Sequence, residues 1–259
     1  MIFPKSCPPP TLTSPAPPPW AEIIRTSVRG TEHRSPALAV RAVPYGDADL
    51  VVGLFTESLG LISALARRAR GARRLHLEPM HTLEVALRER PGASLLSIRS
   101  ASMQTPRTRL IASFERMQTA GTVLRWVRQA VPPRTPEPDV WNVLIHLLDA
   151  LDEPELATSP SALLVVAGMG LLRALGYGLD LDRCVTCGRG CPAERSSHVD
   201  AARGGLVCRR CGGAGPVVSG AMRTRLKAAA SGVPVLRADE LPLGIALVES
   251  ALLAHANVR

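Results

Sequence analysis

Lysine is nearly missing from this sequence, and aromatic residues are few. Of its 31 basic residues only Lys5 and Lys227 are lysines, and Phe, Trp and Tyr together make up 3%. So few rings exclude a long stacking platform for bases. Tyr45, Phe55, His76 and His81 are the only candidates near the basic residues discussed below. The arginine bias is not read as chemistry, since genomic composition also produces it. Long apolar runs are lacking too. The longest, Leu163 to Leu172, is far too short to span a bilayer. No charged segment followed by an apolar stretch opens the chain, so no secretion signal is read. There is no HExxH, no GxSxG, no phosphate loop ending in Gly-Lys-Ser/Thr and no HxE with PCxxC. This argues against the zinc-peptidase, serine-hydrolase, nucleotide-hydrolase and zinc-deaminase classes. The formal charge is +9, which favours an anionic partner such as nucleic acid.

What is present is a cysteine pattern. Cys184/Cys187 and Cys208/Cys211 are two Cys-x-x-Cys pairs with twenty residues between them. Each pair can aim two sulfurs at one centre, and two pairs supply the four thiolates of a structural Zn²⁺. Such a shell leaves no position for a catalytic water. Four free thiols or two disulfides are the bland alternatives, but clustered pairs without a secretion signal point to metal in a reducing cytoplasm. Cys191 reads as a spectator, since the two pairs complete the shell, and His198 as a loop histidine. Gly188, Gly212 and Gly213 follow the pairs, where knuckle turns crowd a Cβ. The module has too few apolar residues to hold its order without metal.

Along the chain, residues 1–34 read as a disordered Pro-rich tail, with eight prolines before Trp20. The tail is read as a spacer or a start assigned too early. Five short strands follow, at Ala37 to Val43, Leu50 to Thr56, Leu61 to Ala66, Met80 to Glu89 and Leu95 to Met103. Five strands with a longer excursion after the third is the count of an OB-fold barrel, assigned to residues 35–105. From residue 106 to 259 the period is helical. One stripe runs Leu110, Phe114, Met117, Gly121, Leu124, Val127, Val131, and further helices are expected at Pro138 to Leu151, Ser161 to Leu175, Ser219 to Ser231 and Glu240 to His255. The fold class is therefore α+β, β then α. The cysteine module, 181–216, is a zinc-ribbon-like insertion within the helical domain.

The charge pattern gives two candidate sites. Arg67, Arg68, Arg70, Arg73 and Arg74 form a run with no acid among them, and Arg41 on the first strand joins this set. Beside a small barrel, such a run suits phosphates, with an affinity that is mainly electrostatic. A solvated charged loop is the plain alternative. Arg116, Arg125 and Arg128, with Trp126 between them, form a second group on the first long helix. They suit the groove of an acidic, apolar-ended peptide, or are ordinary snorkelling arginines. The acids Asp47, Asp49, Asp180 and Asp182 read as turn caps.

Taken together, a strand, the stretch PYGDADLVVGLFTESLGLISALARRARGARR, and a helical region interrupted by CxxC and GGLVCRRC resemble the RecO family of bacterial recombination mediators. The matching positions are Pro44, Tyr45, Gly46, Asp47, Asp49, Phe55, Thr56, Gly60, Ala66, Gly71, Arg73 and Arg74, and Gly204 to Cys208. Asp47 stands where the family usually has Glu, and Cys191 is additional. The resemblance implies a protein, without enzymatic activity, that binds single- and double-stranded DNA through the barrel and anneals complementary strands. It implies association with RecR and with the acidic C-terminal tail of the single-strand-binding protein (SSB). Through these, RecA loads onto coated strands in the cytoplasm, at the nucleoid. The family's zinc is structural. Read from the residues alone, a zinc-ribbon RNA-binding or transcription-associated adaptor is the alternative, with Arg203, Arg209 and Arg210 as its contacts; a zinc-dependent hydrolase is a third.

Overall fold

A single long strand closes the first half of the chain. In the computed structural model, which describes residues 30–69 and 77–256, β1 runs Thr31–Tyr45. Its first half pairs antiparallel with β4 (Thr82–Glu89), and its second half pairs antiparallel with β2 (Asp49–Thr56). β3 (Gly60–Ala66) continues from β2, and β5 (Leu96–Thr105) bridges β3 and β4. The result is a closed barrel in the order β1-β2-β3-β5-β4, an OB-fold with no free edge. Residues 31–34, read as tail from the sequence, are strand. Their side chains do not alternate apolar and polar, so the sequence carries no strand signal there. Pairing from Thr31–Glu89 to Arg34–Ala86 fixes them instead. Residues 1–29 of the expected tail lie outside the described residues, as do Arg70, Arg73, Arg74 and His76.

Inside the barrel, small and large residues share the space. Ala37, Ala39, Ala64 and Ala66 pack with Val52, Leu54, Ile62, Leu83, Val85 and Leu87. Leu38 and Phe55 belong to a different core. They point outward and are buried among the helices, Phe55 at 5.8 Å from Trp141 between ring centroids. Phe55 is thus part of the seam and no platform for a base.

The helical half holds α1 (Thr108–Ile111), α2 (Phe114–Ala130), α3 (Pro138–Asp152), α4 (Pro160–Ala174), α5 (Gly220–Ala230) and α6 (Leu241–Ala256). The stripe from Leu110 to Val131 does not lie on one helix. It breaks at Ala112 and Ser113, and Phe114 is 78% exposed. The Leu110 N–H donates to Asp152 Oδ1 at 2.8 Å, which anchors α1 to α3 while α2 starts afresh. On α2 the buried face is Ala120, Val123, Leu124, Val127 and Ala130. Helix α4 is buried along most of its length, as its apolar composition predicts, and Ser159 caps it by accepting from the Ala162 N–H. No helix among the described residues is long and apolar enough to cross a membrane.

Two devices weld barrel to helices. The Arg107 side chain is almost fully buried. Its Nε and Nη2 donate to Asp149 Oδ1 at 2.9 and 2.7 Å, and Nη1 donates to the Met80 carbonyl and Thr82 Oγ1. The Arg107 N–H donates to His81 Nδ1 at 2.9 Å, so that nitrogen is an acceptor and the ring is neutral. Burial accordingly pulls the His81 pKa below its ordinary 6.5. The second device is Gly60, at φ +67°, where a Cβ would meet the Thr135 carbonyl oxygen at 1.9 Å. Only glycine lets the α2–α3 connection lie so close to β3.

Between α4 and α5 sits a four-stranded sheet in the order β6-β8-β7-β9, from β6 (Asp180–Cys184), β7 (Ser197–Asp200), β8 (Gly205–Val207) and β9 (Val217–Val218). Its inward residues Leu181, Val199, Ala201, Leu206 and Val218 are part of the helical core. The module therefore borrows its apolar contacts from α4 to α6. Arg223 of α5 is buried against it, donating from Nη1 to the Leu181 carbonyl and from Nη2 to the carbonyls of Pro192 and Ala193.

Candidate metal centre and nucleic-acid interface

The four cysteines converge. Cys184 ends β6, Cys208 follows β8, and Cys211 closes a short 3₁₀ turn. Their sulfurs all lie within 4.8 Å of one another, and Cys187 Sγ is 3.9 Å from Cys208 Sγ. Tetrahedral Zn–S bonds of about 2.3 Å put sulfurs about 3.8 Å apart, whereas a disulfide needs about 2.05 Å. The cluster has the dimensions of a metal site and not of a disulfide pair.

Its local backbone follows from the glycines. Gly188 and Gly212 take left-handed backbone at the two knuckles. Gly213 does not. It is glycine because a Cβ would meet the Val207 carbonyl oxygen at 2.2 Å. Gly205 lies equally close to the Asp180 carbonyl, which explains the Gly in GGLVC. The N–H of Cys208 donates to Cys184 Sγ at 3.4 Å. With the neighbouring Cys187 N–H it brings the Cys184 thiol down to about 6, while hydrogen bonding with Cys208 and Cys187 pushes Cys211 up to about 12. Four crowded sulfurs do not share negative charge willingly, and a soft dication is the partner this donor set fits. Cys191 is outside the cluster, with its Sγ facing the Arg195 carbonyl at 3.9 Å. His198 is not in a loop but on β7, with Nδ1 on the Gly215 carbonyl at 2.8 Å.

The barrel carries the second candidate. Arg41 follows a register shift in β1, and Tyr45, 58% exposed, ends that strand. Both line a cavity of about 410 Å³ on the outer face of β1-β2-β3, and Arg128 of α2 lines it from the helical side. No carboxylate is among the lining residues, and among the described residues neither Arg41 nor Arg128 has a side-chain hydrogen bond or ion pair. The next turn ties in the arginine run. Asp49 Oδ1 accepts the Arg68 N–H at 2.8 Å, which fixes the exposed Arg67 and Arg68 beside the β1–β2 turn. The acids read as turn caps act so here and at Asp180, whose Oδ1 accepts the N–H groups of Asp182 and Arg183.

The three arginines read as one peptide groove go to three places. Arg116 Nη1 donates to the carbonyls of Leu151 and Glu153 and closes the end of α3. Arg125 faces Glu249 at 3.5 Å, at the rim of a cavity of about 300 Å³ shared with Trp126, Leu252 and Leu253. Arg128 joins Arg41 instead. The helix period places all three correctly but cannot show what α6 and the barrel bring opposite them. His81 is buried in the seam and offers no ring to a base. No local pattern signals the Arg107–Asp149 pair, whose members are 42 residues apart.

Comparison with known proteins decides the family. The model described as Recombination protein O N terminal matches residues 31–107, and Recombination protein O C terminal matches residues 112–244. The chain belongs to the Recombination protein O family. A DNA repair protein RecO from Anaeromyxobacter sp. (strain K) is 36% identical over 177 residues, 67% of this chain and 68% of its own length. That of Anaeromyxobacter dehalogenans (strain 2CP-C) is 35% identical over 215 residues, 82% of this chain and 81% of its own. That of Geobacter metallireducens is 28% identical over 229 residues, covering 86% and 91%. The Recombination protein O matches divide where the structure does: the first ends at Arg107, the buried weld, and the second starts at Ala112, in the break before α2.

Proposed function

We propose that this protein is a DNA repair and recombination mediator that holds single- and double-stranded DNA on the outer face of its OB barrel. The observation that carries this reading is the acid-free cavity where Arg41, Tyr45 and Arg128 meet beside Arg67 and Arg68. Guanidinium groups neutralise phosphates, and Tyr45 supplies one ring for one base. Arg70, Arg73 and Arg74 follow in the sequence, outside the described residues, and are proposed to add to the same charge.

With the family relationship, the reading extends to annealing of complementary strands and, with RecR, to helping RecA load onto strands coated by SSB. The cavity beside Arg125, with Leu252 and Leu253, is the proposed seat for that protein's acidic, apolar-ended tail. The metal is Zn²⁺, held by Cys184, Cys187, Cys208 and Cys211 as a structural ion that fixes the module's knuckles.

The test is fluorescence anisotropy of a labelled single strand titrated with protein across a salt series. Arg41→Ala with Arg128→Ala is expected to weaken binding about tenfold at low salt and to make the log–log salt slope shallower by about 1.4, at about 0.7 per phosphate contact on single strands. Unchanged affinity and slope would remove this face from the site. An RNA competitor of the same sequence separates the mediator from an RNA-binding adaptor, which would prefer RNA.

A further inference from the structure

The metal module has a basic cleft of its own. A cavity of about 470 Å³ is lined by Arg189, Arg195, Arg209 and Arg210, with His198 on its wall. No Asp or Glu lines it, and it shares no residue with the barrel cavity. The arginines come from two separate segments. Arg189 and Arg195 flank Cys191, and Arg209 and Arg210 lie inside the second cysteine pair. The cysteine cluster therefore positions Arg209 and Arg210, while Arg189 and Arg195 lie on the segment between the two pairs.

Their lack of partners is selective. Elsewhere in this region the cations are engaged: Arg183 with Asp180, Lys227 with Asp182, Arg225 with Glu240, and Arg203 with Thr186. Among the described residues, no hydrogen bond or ion pair engages the side chains of the four cleft arginines, and Glu194, next to Arg195, is absent from the lining. Cys184 and Cys208 line the cleft as well, and a Zn²⁺–four-thiolate centre carries about two negative charges, so the four arginines keep a positive excess that an anion relieves. Planar guanidinium forks match phosphate oxygens. Val217, 56% exposed, and Pro192 are the apolar residues on the rim, beside the four guanidinium groups.

We infer that this cleft is a second nucleic-acid site, taking the phosphodiester backbone of a strand independently of the barrel face. A chain with two separate backbone sites can hold two strands at once.

The test uses the full-length, zinc-loaded protein. The variant Arg189→Ala, Arg195→Ala, Arg209→Ala, Arg210→Ala is compared with wild type for binding of a single-stranded oligonucleotide, with zinc content and circular dichroism checked first. With the barrel already weakened by Arg41→Ala and Arg128→Ala, adding the four cleft changes is expected to lower binding at least a further tenfold at low salt, with the slope shallower by about 2 to 3 at about 0.7 per phosphate. The four-lysine counterpart is expected to recover most of the slope, because charge is kept. Tripolyphosphate, a free anion, is expected to compete only at much higher concentration than the oligonucleotide. Unchanged affinity and slope in a zinc-loaded alanine variant overturn the inference. If that variant does not fold, photo-crosslinking of wild type to a strand carrying a photoreactive thymidine decides. Crosslinks on the segment from Arg189 to Arg210 support the second site, and crosslinks confined to the barrel overturn it. The Arg41/Arg128 pair, measured alongside, reports on the barrel separately, so one site can fail while the other stands.

Discussion

The barrel and the metal module are both small, basic sheets, yet they are held in shape by different means. The barrel closes on itself. β1 serves both edges, and the interior from Ala37 to Ile98 is the barrel's own. The module has four short strands with no interior of their own. One face borrows the helical core, and the other is organised by four sulfurs. The contrast teaches that a basic surface can rest on hydrogen-bonded closure or on a single metal centre. The two should fail under different treatments.

The largest difference is expected on metal removal. Cys208→Ser, or chelation, should cost the module's backbone most of its protection from hydrogen exchange between residues 180 and 218, while β1 to β5 keep theirs. Exchange followed by mass spectrometry checks this. Equal loss in both regions would show that the barrel depends on the metal too. Next comes the weld. Arg107→Ala strands the Met80 carbonyl and Thr82 hydroxyl, at a cost of about 1–3 kcal/mol for each stranded group in denaturant unfolding. Phe55→Ala, on the same seam, should cost a similar 3–5 kcal/mol.

Much of this was legible in the sequence, and what was not has physical causes. Strands β2 to β5 and the last four helices lie where their apolar residues put them, because each buries those residues in the core, α4 on nearly every side. The Cys-x-x-Cys spacing predicted the four-cysteine cluster directly, since each pair is local to one turn. Three features could not be read. Thr31 to Arg34 are strand only because β4 lies alongside. The break before Phe114 depends on Asp152 reaching Leu110 from another helix. Arg41 and Arg128 meet only through the packing of α2 on the barrel. In each case the deciding partner is far away in sequence.

A smaller effect sharpens the comparison by pH. His81 in the barrel seam is held neutral, with a pKa below 6.5. As pH falls below 6.5 the unfolded chain takes up a proton that the folded chain refuses. Stability should therefore decline, with a slope of at most about 1.4 kcal/mol per pH unit from this group. His81→Asn keeps an acceptor and should flatten that part of the profile; an unaltered slope would put the titration elsewhere. The smallest expected change is Arg116→Ala. It removes two bonds to the end of α3, at about 0.5–1.5 kcal/mol, and should leave DNA binding as it was.

The grip on a polyanion is assigned to the outer face of the barrel around the cavity of Arg41 and Arg128, which no carboxylate lines. It is tested most directly by the salt dependence of single-strand binding for wild type and for a variant with Arg41, Arg67, Arg68 and Arg128 changed to Ala. Wild type should bind tightly in dilute buffer, and the variant's slope should be shallower by about 2 to 3. Wild type that ignores the oligonucleotide in dilute buffer, or a variant whose slope matches wild type, would contradict it.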